Sequence, residues 1–338
     1  MSVRDLTTPA FFVGAAAALL VSVTLASPQV NDWVFRCCTL VMLATSWNLM
    51  ANAGLISLGH SAFWGVGSFA AVLTANGFGL PFLPALVPAF LIGVALGAFL
   101  AFATGRLRGI FFAISTLALS EGLRITAFMV PEVTGGAVGV FLKQELRPSQ
   151  QVLYSLGVLG AVGSVALAWW LSRTRFHYAC RAMRNNEAAA QMLGINPMRY
   201  RLGVLMVSGG MASLAGGINA WYGGYLDPGM AFTLHFTILS QIAPILGGIH
   251  TLVGPVIGSV GIIFLSEGTR IAFGANEGYS QLIFGVVLVV GILFMPHGIY
   301  GVWQRVRQRA ARHREHAPSP APTPARRPAE GTPKEMRP

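Results

Sequence analysis

Between Ala10 and Met295 the chain is a succession of apolar segments broken by short polar turns, and that alternation limits what it can become. Inside lipid, every backbone N–H and C=O has to find a partner within the protein, so only helices and closed barrels cross. Segments this long and this uniformly apolar suit helices. Ten can be read: Ala10–Ala26, Trp33–Leu55, Ser57–Ala75, Phe82–Thr104, Ile110–Val130, Val152–Leu171, Leu202–Tyr225, Phe236–Ile249, Leu252–Phe273 and Gln281–Met295. The expected fold class is all-α, a polytopic transmembrane helix bundle of eight to ten spans, depending on which neighbours merge. Ala10–Ala26 follows Arg4 but lacks a clean small-x-small cleavage site, so it reads as a first span rather than a signal peptide.

One segment stands apart. Phe236–Ile249 would make a helix only about 21 Å long, against a hydrocarbon thickness of roughly 30 Å. Pro244 and Gly247–Gly248 interrupt it further. Such a piece is tolerable only where protein or a water-filled cavity covers its free backbone groups.

Charge assigns the orientation. Only 10% of residues are charged, yet the formal net charge is +11. The arginines gather at Arg106/Arg108, in the stretch Arg173–Arg201 and from Arg305 onward, beside apolar spans rather than on a nucleic-acid-binding face. Ten spans place all three groups and both termini in the cytoplasm, leaving Arg36, Lys143 and Arg147 outside and Arg124 and Arg270 within spans. Pro131–Gln150 is expected as an outer polar loop. The chain divides into a membrane domain, 1–304, and a basic, Pro/Ala-rich tail, 305–338. The tail is expected to be disordered, its first part held to anionic headgroups.

Several function classes are excluded. The only lysines, Lys143 and Lys334, follow no glycine-rich loop, so a phosphate loop of the Walker type is missing. If ATP drives this chain, another chain hydrolyses it. Cys37, Cys38 and Cys180 have no metal-ligand spacing and read as free thiols. The histidines form no HExxH pattern, and no paired carboxylates or nucleophile elbow occur. Neither a catalytic residue nor a metal ligand set is expected.

The longest polar interruption is Arg173–Arg201, and a short helix is marked inside it. Asn185 or Asn186 can cap its first turn. Glu187 sits where the helix dipole favours negative charge. Ala188, Ala189, Ala190, Gln191, Met192 and Leu193 are strong helix formers, Gly194 can take the left-handed end conformation, and Pro197 prevents a restart. Seven residues make roughly 10 Å of helix. That is too short to cross a membrane, so it faces a partner or the lipid surface.

This run, Cys180 to Asn196, resembles the cytoplasmic coupling loop of ABC-importer permeases, and more narrowly the branched-chain amino-acid permeases of the Liv type, M subunit. Ala53–Ala71 (AGLISLGHSAFWGVGSFAA) and Ile245–Gly261 (ILGGIHTLVGPVIGSVG) agree. The resemblance covers about residues 40 to 300. It implies a homologous second permease, two cytoplasmic ATPases carrying ATP and Mg, and a soluble substrate-binding protein. It assigns ATPase coupling to Arg184, Glu187, Ala189, Ala190, Met192, Leu193 and Gly194. Branched-chain amino acids are the implied cargo. Related permeases carry urea, short amides or aromatic acids, and no residue excludes these.

Pathway candidates come from polar groups in apolar spans. Ser57, Ser61 and Gly65 recur every four residues, a ladder that lets another helix approach; Gly93/Gly97 and Gly254/Gly258 repeat the spacing. Ser57, His60 and Ser61 bring polar atoms to the start of a span. His60 either lines the pathway or hydrogen-bonds a neighbouring backbone carbonyl, the second being favoured. Glu121 and Arg124 stand one turn apart, well inside the bilayer, and either pair structurally or line a cavity. Glu267/Arg270 lie nearer an outer span end, where snorkelling is easy. Two short repeats, Gly54-Leu-Ile-Ser-Leu with Gly248-Ile-His-Thr-Leu and Ser120–Arg124 with Ser266–Arg270, suggest two weakly related halves. An ion- or proton-coupled secondary transporter using Glu121/Arg124, a passive channel for a solute such as urea, and a scaffold with no pathway of its own remain alternative readings.

Overall fold

The computed structural model describes residues 27–273, together with 282, 283, 285, 286, 289 and 298–301. The expected first span, Ala10–Ala26, and the tail lie outside these residues, and Gln281–Met295 lies largely outside them.

Within 27–273 the architecture is all-α. In chain order the helices are α1 Pro28–Asn52, α2 His60–Phe78, α3 Phe82–Ala103, α4 Ile110–Met129, the single turn α5 Pro131–Thr134 and α6 Gln150–Ser172. Then come α7 Arg175–Asn185, α8 Glu187–Met192, α9 Pro197–Gly223, α10 Pro228–Ala231, α11 Leu234–Gly247 and α12 Gly254–Phe273. Punctuation residues set the ends. Pro28, Pro197 and Pro228 occupy first-turn positions, where a missing N–H costs nothing. Asn196 and Asp227 accept from first-turn amides, and Gly224 ends α9 with φ +69°.

Seven segments among the described residues are long and apolar enough to cross a membrane. All seven match expected spans; the eighth, α2, falls outside that set but is 19 residues long and buried against α3 and α9. Several boundaries differ from expectation; α9 begins at Pro197, which was expected to prevent a restart and instead occupies the first turn of the next helix. Helix α2 starts at His60, so Ser57 sits in the preceding loop and the ladder Ser57/Ser61/Gly65 is not one helix face. The short segment gains length because α10 precedes it, making Pro228–Gly247 a 20-residue span.

Helix α9 is the axis of the bundle, packed by α1, α2, α3 and α6. Lipid tails are as apolar as side chains, so helices associate here through close packing rather than hydrophobic burial. A Cβ on Gly97 would stand 2.2 Å from the Leu205 carbonyl, and one on Gly216 2.1 Å from that of Trp64. The Gly254/Gly258 pair does the same against α11, where a Cβ on Gly258 would meet the Ala243 carbonyl at 1.7 Å.

The expected polar loop 131–150 carries short elements of its own. Its Val140–Phe141 (β1) pairs antiparallel with Tyr225–Leu226 (β2). Asn76 Nδ2 donates to the Phe141 carbonyl at 2.8 Å and Arg147 Nη2 to that of Tyr222 at 2.8 Å. The loop thus covers the C-terminal ends of α2 and α9, opposite the 173–201 segment.

Candidate functional site

The 173–201 segment holds two complete helices, not one, together with the first turn of α9. Residues Arg175–Asn185 read as a polar run, yet Ala179, Cys180 and Met183 recur at helical spacing and are the buried face of α7. Cys180 is only 2% exposed, and burial pushes its thiol up to about 12. Cys37, Cys38 and Cys180 are all unpaired.

Of the two candidate caps, Asn186 does the work: its side chain accepts from Ala189 N at 3.0 Å. The helix runs Glu187–Met192, with Leu193 as its cap. Gly194 is left-handed at φ +81°. Its N–H donates to Gln191 O at 2.9 Å and that of Ile195 to Ala190 O at 3.1 Å, the paired bonds of a Schellman ending. This geometry sorts the expected coupling residues. Ala189 is exposed, Met192 is 90% and Leu193 80% exposed, whereas Ala190 is 2% exposed and packs inward. Ala190 therefore seats the helix and has no share in its outer face.

Glu187 does more than offset a dipole. Its Oε2 accepts from Arg201 Nη2 at 2.9 Å and stands 3.1 Å from Arg108 Nε. Arg201, buried at 8% exposure, also donates Nη1 to Gly105 O at 2.9 Å and Leu107 O at 3.3 Å. Spacing gave no sign of this join between two loops; only the basic composition of both hinted at it. Arg184 backs onto the first repeat loop, where a Cβ on Gly54 (φ +79°) would lie 3.3 Å from the Arg184 Cα. Its Nη1 is buried and has no hydrogen-bond partner among the described residues.

The pathway candidates separate. Ser57, His60 and Ser61 are fully buried, and the last two contact neighbouring hydroxyls. Ser61 Oγ lies 2.8 Å from Ser120 Oγ, and Thr237 Oγ1 donates to Ser61 Oγ at 2.9 Å. His60 Nε2 is 2.7 Å from Ser46 Oγ, not on a backbone carbonyl. Ser46 Oγ also donates to Leu43 O at 2.6 Å, which uses its one proton. With that proton donated to Leu43 O, the contact is made by Nε2–H of His60 donating to Ser46 Oγ; Nδ1 has no hydrogen-bond partner among the described residues. Glu121 and Arg124 pair at 2.8 Å, each side chain about one-third exposed, on α4 beside Ser120. The second pair is less evenly exposed. Glu267 has an 11% exposed side chain, set in an apolar groove of about 440 Å³ between α1, α6 and α12, while its partner Arg270 is 65% exposed. Glu267 is nearly buried and is paired with the exposed Arg270 at 2.7 Å.

The two repeat loops are both held by α1. Trp47 Nε1 donates to Ser57 O at 3.0 Å, and its neighbour Asn48 grips the second loop, accepting from His250 N at 3.0 Å and donating to Thr251 O at 2.9 Å. A cavity of about 70 Å³ lies there, lined by Thr45, Asn48, Asn52, His177 and His250 among others. No group of three His, Cys, Asp or Glu that could hold a metal occurs among the described residues.

Residues 29–292 match the family model described as branched-chain amino acid transport system / permease component. The high-affinity branched-chain amino acid transport system permease protein LivM of Salmonella typhimurium is 28% identical over 289 residues, 77% of this chain and 67% of that protein. LivM of Escherichia coli is 27% identical over the same share of each chain. The permease protein LivH of Escherichia coli is 26% identical over 186 residues, 55% of this chain and 58% of that protein. No solved structure matches significantly. With a match that runs from the start of α1 past the end of α12, the chain belongs to the branched-chain amino acid transport system permease family.

Proposed function

We propose that this permease is one membrane-spanning subunit of an ATP-driven importer for leucine, isoleucine and valine, fed by a soluble binding protein and powered by two separate ATPases. The observation that carries this reading is the 187–194 helix: capped at both ends, seated by Ala190 and offering Met192 and Leu193 to solvent. An exposed apolar end on a rigidly held helix suits a protein partner better than open water. Family membership supports the transport role, and the resemblance to both LivM and LivH supports pairing with a second, homologous permease. The basic 173–201 end faces the cytoplasm of a bacterial inner membrane by the positive-inside argument, with both termini on that side. ATP and Mg sit on the ATPases, not on this chain. The pathway runs between the two permeases, with the hydroxyl network around Ser61 and the Glu121/Arg124 pair nearest to it.

The test is uptake into proteoliposomes holding both permeases and the ATPases, with binding protein outside and ATP inside. Labelled leucine should accumulate only with ATP and binding protein together. Accumulation driven by an imposed proton or sodium gradient without ATP would replace this reading with a secondary transporter. Equilibration indifferent to both would replace it with a passive channel.

A further inference from the structure

The join at Glu187 ties α8 to the basic α3–α4 turn, 104–109. Arg201 reaches both, one nitrogen on the carboxylate and the other on the Gly105 and Leu107 carbonyls, while Arg108 adds a second cation to the same oxygen. A buried guanidinium with its donors spent this way permits one arrangement, because freeing any arm strands a charge away from water. The turn and the helix therefore move as one unit. That unit presents Met192 and Leu193 outward, and with them the exposed Arg106, which makes no ion pair among the described residues.

We propose that the α3–α4 turn is a second part of the surface that receives the ATPase, with Arg201 and Glu187 as positioning residues that hold it in register with the coupling helix. The surface fits an ATPase face with an apolar slot for Met192 and Leu193, bordered by aspartate or glutamate opposite Arg106 and Arg108. Continuity with the helix and charge complementarity argue for this occupant. The inference rests on the coupling reading of 187–194 given above.

The test uses the complete transporter, purified through a tagged permease, with the ATPase retained measured per permease. Met192→Asp probes the helix, Arg106→Glu the turn, and Arg106→Lys keeps the charge. Both Met192→Asp and Arg106→Glu should lower retention about tenfold, with Arg106→Lys near wild type, since a like-charge contact at a rim opposes docking. Wild-type retention should also fall between about 0.05 and 0.5 M salt, and that fall should flatten in Arg106→Glu. Loss in Met192→Asp with full retention in Arg106→Glu overturns this inference and leaves the coupling helix standing. Full retention in both overturns both. A drop in Arg106→Glu abundance in the membrane, with retention per permease unchanged, would assign the turn to lipid headgroups and also overturn the proposal.

Discussion

Asn48 donates its side-chain amide to the Thr251 carbonyl at 2.9 Å and accepts from His250 N at 3.0 Å, joining α1 to a turn some 200 residues later. The turn needs that support, for His250 is the one described non-glycine residue with positive φ, at 65°. A left-handed L-residue costs about 1–2 kcal/mol, recovered here by two hydrogen bonds to a 5% exposed side chain.

Asn48→Ala should therefore destabilise the permease by about 1–3 kcal/mol, since it leaves a buried donor and acceptor unmatched. Thermal unfolding in detergent measures this, and Asn48→Asp should restore only the bond to His250 N. A melting temperature unchanged in Asn48→Ala would show that the turn is held by other means.

The same turn makes stability depend on pH. Burial, and then the charges of Arg184 and Arg181, lower His250 from 6.5 to about 4. His177 is lowered by burial and the same two arginines. Between pH 6.5 and 4 the unfolded chain holds a proton on His250 that the folded chain lacks. Protonation thus favours unfolding, and stability falls as pH drops through that window and is flat above it. Melting temperature against pH should show this slope, and His250→Gln should reduce it. An identical slope in the variant would contradict the assignment.

Helix contacts through glycine carry a sharper contrast. A Cβ on Gly258 would press into the Ala243 carbonyl, whereas one on Gly268, on the same helix, meets nothing within 4 Å. Gly258→Ala should cost about 1–3 kcal/mol by forcing α11 and α12 apart, and Gly268→Ala should be neutral or stabilising. Equal effects on thermal stability would contradict the packing described.

Much of this was legible in the chain, for identifiable reasons. A span announces itself by length and apolarity, and a helix end by Asn186 or Gly194, all local signals; Pro197 misled, because a proline that stops one helix fits equally well in the first turn of the next. What stayed hidden depends on distant partners. Arg201 looks like any loop arginine until Gly105, Leu107 and Glu187 are brought to it. Ser46, Ser120 and Thr237 are common residues in apolar helices, and only the fold gathers them around His60 and Ser61. Charge pairs showed the limit most clearly: Glu121/Arg124 and Glu267/Arg270 have the same spacing, yet Glu267 is nearly buried while Glu121, on another helix, is about one-third exposed. Spacing decides pairing; neighbours decide burial.

Cys180 lies in the basic loop and looks like a ready topology reporter, but its thiol is buried and its pKa raised to about 12. A membrane-impermeant maleimide at neutral pH should leave it unmodified in the folded protein from either side. The exposed neighbour Arg181, as Arg181→Cys, should label in inverted vesicles and not in intact spheroplasts. Labelling of Arg181→Cys from outside would reverse the proposed orientation.

The central claim is that the 187–194 helix passes the ATPase's motion to the permease. Ala189→Asp and Leu193→Asp alter exposed positions and should leave the fold intact, while Gly194→Val, with open space around it, strains only the left-handed backbone. Binding-protein-stimulated ATP hydrolysis by the reconstituted transporter, normalised to permease abundance, measures the coupling directly. In all three variants it should fall about tenfold or more, equivalent to about 1.4 kcal/mol or more of lost coupling, at normal abundance in the membrane. Stimulation within about twofold of wild type in all three, less than about 0.5 kcal/mol, would contradict the account.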